Sequence, residues 1–82
     1  MSSSKTRHLK KETEMRCEIS ETSSLTIKLI NGTAEIFGVE LAPNKEYTFR
    51  DRNIALFTWY GCTIELSGDE SGTYAIGDHV CS

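Results

Sequence analysis

Three glutamates cluster close to the start of the chain, and paired carboxylates are side chains that can perform general acid–base work. Glu12, Glu14 and Glu18 lie around Arg16. In an extended strand every second side chain points to the same face, so Glu14, Arg16 and Glu18 share a face and the arginine lies between two carboxylates. This spacing favours a solvated, charge-balanced strand face over a catalytic carboxylate pair.

The other candidate nucleophiles, bases and metal ligands are dispersed. His8 and His79 lie near opposite ends, and Cys17, Cys62 and Cys81 are widely spaced with no C-x-x-C pair. We therefore predict neither a zinc site nor a disulfide framework, with Cys17 and Cys62 buried as small apolar side chains and Cys81 a tail thiol. The chain contains no G-x-x-x-x-G-K-S/T sequence. We expect no catalytic residue and no bound metal.

Aromatic side chains offer a different chemistry, because aromatics on a sheet can stack on the bases of single-stranded RNA. Such platforms need basic neighbours, which most of this chain lacks. Aromatics at alternating positions of a small β domain are more often core. We therefore predict core packing for these aromatics, with Tyr60 the most exposed. They are Phe37, Tyr47, Phe49, Phe57, Trp59 and Tyr60.

Charge divides the chain into a basic start and an acidic body. Residues 1–16 carry five basic and two acidic side chains, whereas residues 17–82 carry four basic and ten acidic ones. An acidic body predicts little intrinsic RNA binding. The basic segment has two interpretations, a weak nuclear-import or RNA-contact segment and a solvated, disordered end, and we favour the second. Its cations are Lys5, Arg7, Lys10 and Lys11.

Length and hydropathy limit the class of protein. Eighty-two residues with 38% hydrophobic and 26% charged side chains predict one small globular domain. Apolar runs are far shorter than the roughly 20 residues that a bilayer span requires. The first residues lack the apolar segment of a secretory signal. We therefore expect no membrane association and a reducing, intracellular compartment.

Alternation of apolar and polar residues with period two recurs along the chain and predicts an all-β fold. We expect about eight short strands in a small antiparallel β-sandwich or barrel. The predicted domain covers residues 12–76, between a disordered basic tail over residues 1–11 and a loose end over residues 77–82. The predicted core includes Leu25, Ile27, Ile36, Leu56, Phe57, Ile64 and Leu66.

Turn-forming residues set the expected strand boundaries. Asn31 and Gly32 suit a two-residue type I′ turn, so they predict a hairpin between a strand over residues 25–29 and one over residues 33–37. Residues 50–53 are polar and predict a further turn, after which residues 54–59 form a central strand.

Several uncommon strings occur together in a fixed order, and they resemble one known family. AEIFGVEL at residues 34–41 and FTWYGC at residues 57–62 are the most distinctive, and ETEMR, NKEYTF and TYA match as well. The chain resembles the small N-terminal domain of the eukaryotic RNA 5′-hydroxyl kinases, the Clp-type polynucleotide kinase family. These kinases act in pre-mRNA 3′-end cleavage and tRNA splicing.

The resemblance implies a β-sandwich that packs against a P-loop kinase domain and helps to hold the adenine end of ATP. It assigns Glu14 to one adenosine contact. A second contact in the family is a basic side chain before the ALFTW-type strand, and the matching position here is Asn53. A slip of one residue would present Arg52 instead. ATP is therefore expected only together with the kinase domain, which these 82 residues lack.

The resemblance also implies a nuclear protein whose partners are the kinase domain and subunits of the cleavage-factor or tRNA-splicing machinery. On its own the chain is not expected to be an enzyme. The alternative is a free-standing β module that binds a protein or single-stranded RNA.

Overall fold

The computed structural model describes residues 4–68 and 73–77, and these residues form an all-β domain without a helix. The predicted all-β antiparallel class is confirmed. The described residues form seven strands, two of them long, where the sequence predicted about eight short ones. The strands are β1 (Ser4–Leu9), β2 (Thr13–Gly32), β3 (Glu35–Ile36), β4 (Val39–Glu40), β5 (Glu46–Thr58), β6 (Cys62–Gly68) and β7 (Thr73–Gly77).

The long strands β2 and β5 pair with each other along most of their length and connect two layers of sheet. The first half of β2 pairs with β7 on its other side, and its second half pairs with β6, which in turn pairs with β1. The second half of β5 pairs with β3, and β3 pairs with β4. The shared ribbon thus carries one layer at each end, and the core lies between them.

The β2–β5 ribbon bends where its register shifts between Ile19 and Ser24. On β5 the irregularity falls at Asp51, whose φ is 48°. The predicted turn over residues 50–53 is therefore wrong, because this polar segment lies within one continuous strand. Its side chains are polar because the outside of the bend is exposed to solvent.

The tail predicted to be disordered over residues 1–11 contains an edge strand. β1 pairs antiparallel with β6, from Ser4 opposite Ser67 to Leu9 opposite Cys62. Leu9 is buried in the core, and His8 Nδ1 lies 3.0 Å from Thr63 Oγ1. The prediction failed because an edge strand with one buried apolar residue has almost no hydrophobic periodicity.

The hairpin predicted at Asn31 and Gly32 is also wrong. Both residues continue β2 and pair with Thr63 and Cys62 of β6. A Cβ at Gly32 would lie 2.3 Å from the carbonyl oxygen of Gly61, and φ at Gly32 is +84°. The glycine is therefore required by a close backbone approach at the end of a strand and not by a two-residue turn.

The two-residue hairpin lies a few residues later, between β3 and β4. Its central residues are Phe37 and Gly38, with φ of 55° and 76°. Two successive positive φ values define a type I′ geometry, in which asparagine followed by glycine is the preferred pair.

The two distinctive strings pack against each other around a buried threonine. Thr58 is fully buried, and its hydroxyl donates to the carbonyl oxygen of Thr33 at 2.6 Å. The hydroxyl oxygen of Thr58 in turn accepts from the backbone N–H of Gly61 at 2.8 Å. At the surface, Trp59 Nε1 donates to a Glu35 carboxylate oxygen at 3.3 Å. Residues 33–41 and 57–62 are thereby joined by side-chain hydrogen bonds.

The core prediction holds for every aliphatic residue and fails for most of the aromatics. Phe57 is half-buried on the outer face, Phe37 and Trp59 are exposed, and Tyr60 is the most exposed of the six, as predicted. Tyr47 and Phe49 are half-buried against the core. Side chains fully or almost fully buried include Leu25, Ile27, Ile36, Leu56, Ile64, Leu66, Met15 and Leu29.

The predicted burial of Cys17 and Cys62 is confirmed. Both side chains belong to the buried core. Burial raises the pKa of the Cys62 thiol, and a hydrogen bond with Thr58 partly opposes this effect. A thiol held in its protonated form is a poor nucleophile, in agreement with a structural role. His79, Cys81 and most of the end predicted to be loose over residues 77–82 lie outside the described residues.

Candidate functional site

A cavity of about 350 Å³ lies on the outer face of the layer formed by the first half of β2 and the second half of β5. Successive side chains of a strand point to opposite faces, so most lining residues point outward while their neighbours in sequence fill the core. Cys17 and Ile54 are core residues that also border the cavity. The residues that line it are Glu14, Arg16, Cys17, Glu18, Phe37, Asn53, Ile54 and Ala55.

Glu14 is the carboxylate that the sequence singled out, and it lies in this cavity. Its Oε1 accepts from Arg16 Nε at 3.2 Å, and the two side chains are 32% and 52% exposed. An ion pair at this exposure contributes at most about 1 kcal/mol to stability. The arginine can therefore exchange for another donor at little cost, and Glu14 is available as an acceptor.

The structure separates the two candidates for the second contact. Asn53 lies opposite Glu18 in the ladder and lines the same cavity as Glu14. Arg52 lines a different depression, together with Thr48, Phe49 and Arg50. The slip of one residue that would bring Arg52 to Glu14 is not what the structure shows.

Two cavity residues were missed by the sequence analysis of the site. Arg16 was treated only as a counterion, although the register places it opposite Ala55, between Glu14 and Asn53 along the face. Phe37 was predicted to be core, yet its ring is 64% exposed and lines the cavity. The type I′ turn explains the exposure, because it places Phe37 at the tip of the β3–β4 hairpin.

A second cavity of about 330 Å³ adjoins the other side chains of this hairpin and the end of β5. Phe57 and Trp59 meet edge to face, with ring centroids 4.7 Å apart. Trp59 and Tyr60 are 57% and 85% exposed. The cavity is lined by Thr33, Ala34, Glu35, Gly38, Glu40, Phe57, Trp59 and Tyr60. Large exposed aromatics beside acidic side chains are typical of a contact surface.

Residues 4–68 and 73–77 offer no cluster of side chains that could bind a metal ion. Over that part of the chain no three His, Cys, Asp or Glu side chains come together as a metal site. The same residues include no helix that is long and apolar enough to cross a membrane. What the described surface offers is a half-open polar cavity with one aromatic side and a neighbouring aromatic surface, which suit binding.

The fold and the cavity define a small antiparallel β-sandwich module with a ligand-sized cleft on one face. The chain belongs to the family described as the N-terminal β-sandwich domain of polyadenylation factor, whose model matches residues 8–81. It is 47% identical over 70 residues to the mRNA cleavage and polyadenylation factor CLP1 of Phaeosphaeria nodorum. It is 44% identical over 71 residues to the human polyribonucleotide 5′-hydroxyl-kinase Clp1.

These alignments cover 85% of this chain but only 15% of the fungal protein and 17% of the human protein. Solved structures share the fold. One describes the extended interface between Pcf11p and Clp1p, with a TM-score of 0.85 and 20% identity over 94% of this chain and 19% of that one. A wild-type Clp1p–Pcf11p complex gives a TM-score of 0.84 with the same identity and coverage.

Proposed function

We propose that this chain is the N-terminal module of an RNA 5′-hydroxyl kinase of mRNA cleavage and polyadenylation, and that it helps to hold the adenine end of ATP. The relatives named as kinase and as polyadenylation factor support the first half. The second half depends on the cavity. It rests on one observation, that Glu14 and Asn53, far apart in sequence, line the same cleft.

The chemistry of the cleft suits a purine edge. A carboxylate accepts from an exocyclic amine, and an asparagine amide both donates and accepts. Among the described residues the Glu14 carboxylate bonds only Arg16, and it is partly exposed, so a base can take the place of the arginine. The cavity volume of about 350 Å³ lies within the range of small-molecule sites, roughly 300–1,000 Å³.

Binding the phosphates of ATP requires groups other than the Glu14 carboxylate and the Asn53 amide. Phosphoryl transfer requires cations and backbone donors around the β- and γ-phosphates. In this proposal a P-loop kinase domain supplies them and covers the cleft, with the surface around Trp59 and Tyr60 as part of its contact. Interfaces between domains of one chain commonly bury such mixed polar and aromatic surface.

The wider role proposed is that of the family's named members. The protein would work in the nucleus, in mRNA 3′-end cleavage and in tRNA splicing. The solved Clp1p–Pcf11p complexes support, by analogy, only an assembly with a cleavage-factor subunit. The module itself would have no catalytic activity and would act by orienting the base and by contacting partners.

The test uses a hybrid protein in which this chain replaces the N-terminal domain of the human relative. We expect Glu14→Gln to weaken ATP binding about ten- to a hundred-fold, because one hydrogen bond to a charged acceptor is worth roughly 1.5–3 kcal/mol. Glu46→Gln is the matched control, since Glu46 is an exposed strand carboxylate on the other layer. Isothermal titration measures both, and thermal unfolding monitors the fold.

Equal ATP affinity for the unmutated hybrid and Glu14→Gln, with intact folding, would refute the adenine-assisting role. The module would then be a contact domain only. Binding of GTP as tightly as ATP would equally contradict a role in holding adenine.

A further inference from the structure

Phe37 occupies a backbone conformation that a bulky side chain avoids. Its φ is 55°, in the left-handed region, at the first central position of the type I′ turn between β3 and β4. For a non-glycine residue this region costs roughly 1–2 kcal/mol, and asparagine tolerates it best. A phenylalanine at this position therefore reduces the stability of the turn.

Packing does not repay this cost in the domain itself. The ring is 64% exposed and is not part of the buried core. The turn also stands in open space, because a Cβ added at the adjacent Gly38 would meet no atom within 4 Å. An exposed aromatic ring on a strained turn is the pattern expected when strain is kept for a function.

The position of the ring indicates that function. Phe37 lines the same cavity as Glu14 and Asn53 and is the only aromatic among the described residues that line it. Glu14 and Asn53 offer hydrogen-bonding groups for the edge of a base, and Phe37 offers the π face on which a base can stack. Stacking and edge recognition together are how proteins hold a single nucleobase.

We propose that Phe37 is the stacking platform for the adenine base, presented at the cleft by a turn whose strain serves that purpose. This inference rests on the proposed function and adds to it the residue that contacts the face of the base. It also predicts effects of opposite sign on stability and on binding when Phe37 is replaced.

Phe37→Asn is the decisive variant, because it installs the preferred type I′ pair and removes the ring. In the 82-residue chain we expect Tm to rise by about 4 °C or more. In the hybrid with the human kinase domain we expect ATP affinity to fall roughly 5- to 100-fold. Phe37→Tyr keeps a ring and should bind ATP like the unmutated hybrid.

Stacking has its own spectroscopic readout. In the unmutated hybrid with the human kinase domain, bound ATP should show upfield shifts of the adenine H2 and H8 protons, and the Phe37 ring protons should shift upfield with them in NMR spectra. Phe37→Asn should abolish the shifts of the base. Val39→Ala removes a similarly exposed apolar side chain of the same hairpin that does not line the cleft, and it should leave them unchanged.

The outcomes separate this inference from the proposed function. If Glu14→Gln weakens ATP binding and Phe37→Asn does not, the adenine role stands and the stacking role is wrong. If neither weakens binding, both are wrong. If Phe37→Asn weakens ATP binding but the adenine protons of ATP bound to the unmutated hybrid show no upfield shift, Phe37 is a contact for the kinase domain and the stacking inference is overturned.

Discussion

Thr58 shows how one buried polar side chain can hold two segments together. It is fully buried, yet its hydroxyl donates to the Thr33 carbonyl and accepts from the Gly61 N–H. Two backbone groups on different segments therefore depend on one oxygen atom. The hydroxyl also contacts the Cys62 thiol. Thr58 therefore fixes the backbone of residues 57–62 more firmly than that of an ordinary strand end.

Replacing Thr58 by valine keeps the shape and removes the hydroxyl. We expect the free energy of unfolding to fall by roughly 2–4 kcal/mol, because two backbone groups lose their partner in a buried place. Urea denaturation measures the change. Thr48→Val is the matched control, since Thr48 bonds Thr26 at 2.8 Å on an exposed face and should change stability by less than about 0.5 kcal/mol. Equal effects for the two variants would contradict this account.

At the scale of elements, two glycines with similar φ have different jobs. Gly32 ends β2 against the backbone of Gly61, whereas Gly38 completes the β3–β4 turn in open space. Their φ values are +84° and +76°, so the backbone penalty for a side chain is similar. The neighbouring atoms are what differ.

Alanine at each glycine separates conformational strain from collision. We expect Gly38→Ala to cost about 1–2 kcal/mol, the price of a left-handed residue alone. Gly32→Ala should cost at least about 2 kcal/mol more, since its Cβ would meet the Gly61 carbonyl at 2.3 Å and must displace a strand. Thermal unfolding of both variants provides the comparison. A Gly32→Ala chain as stable as Gly38→Ala would show that β6 moves away freely.

The sequence predicted the fold class and the inner faces of the long strands, because period-two alternation reports burial directly. It did not predict that β2 and β5 are each one long continuous strand. The polar segment around Asp51 and the Asn31–Gly32 pair have the composition of turns, yet both lie inside strands. The β2–β5 ribbon bends at Asp51, whereas Gly32 closely approaches the backbone of Gly61. Such long-range constraints leave no local pattern. β1 was missed for the related reason that an edge strand needs few apolar residues.

The sequence likewise predicted some residues of the candidate site and missed another. Glu14 and Asn53 were named through a family resemblance, and the strand register explains why two distant positions share a cleft. Phe37 could not be assigned from the sequence, since an apolar residue between apolar neighbours predicts core. The available clue was that Phe37 precedes Gly38, which fits the two central positions of a type I′ turn.

For the chain as a whole, the distribution of charge argues against a primary role in binding RNA. Two of the four cations of the basic segment, Lys5 and Arg7, lie in the edge strand β1. Lys10 and Lys11 are exposed just beyond it, before β2 begins. The body that follows carries an excess of acidic side chains. Its exposed aromatics therefore lack the basic surroundings that a single-strand binding surface uses.

This arrangement predicts weak, salt-sensitive RNA binding. We expect the 82-residue chain to bind a single-stranded RNA oligomer with Kd no tighter than about 10⁻⁴ M at physiological salt. Replacing Lys10 and Lys11 together by glutamine should reduce the dependence of log K on log salt by about 1.4, because each phosphate contact on a single strand contributes roughly 0.7. Fluorescence anisotropy over a salt series measures both. Deleting residues 1–11 would be a poor test, since it removes β1 and exposes β6.

Lys28→Gln with Lys45→Gln is the control, as it removes the same charge from the body and should leave the salt slope unchanged. Micromolar binding that survives loss of Lys10 and Lys11 but disappears in a Trp59→Ala, Tyr60→Ala double variant would contradict the prediction. It would instead make the aromatic surface at the end of β5 a stacking platform for RNA. The free-standing RNA module would then be the better account of this chain, because ordered aromatics would be overcoming an unfavourable field of acidic charge.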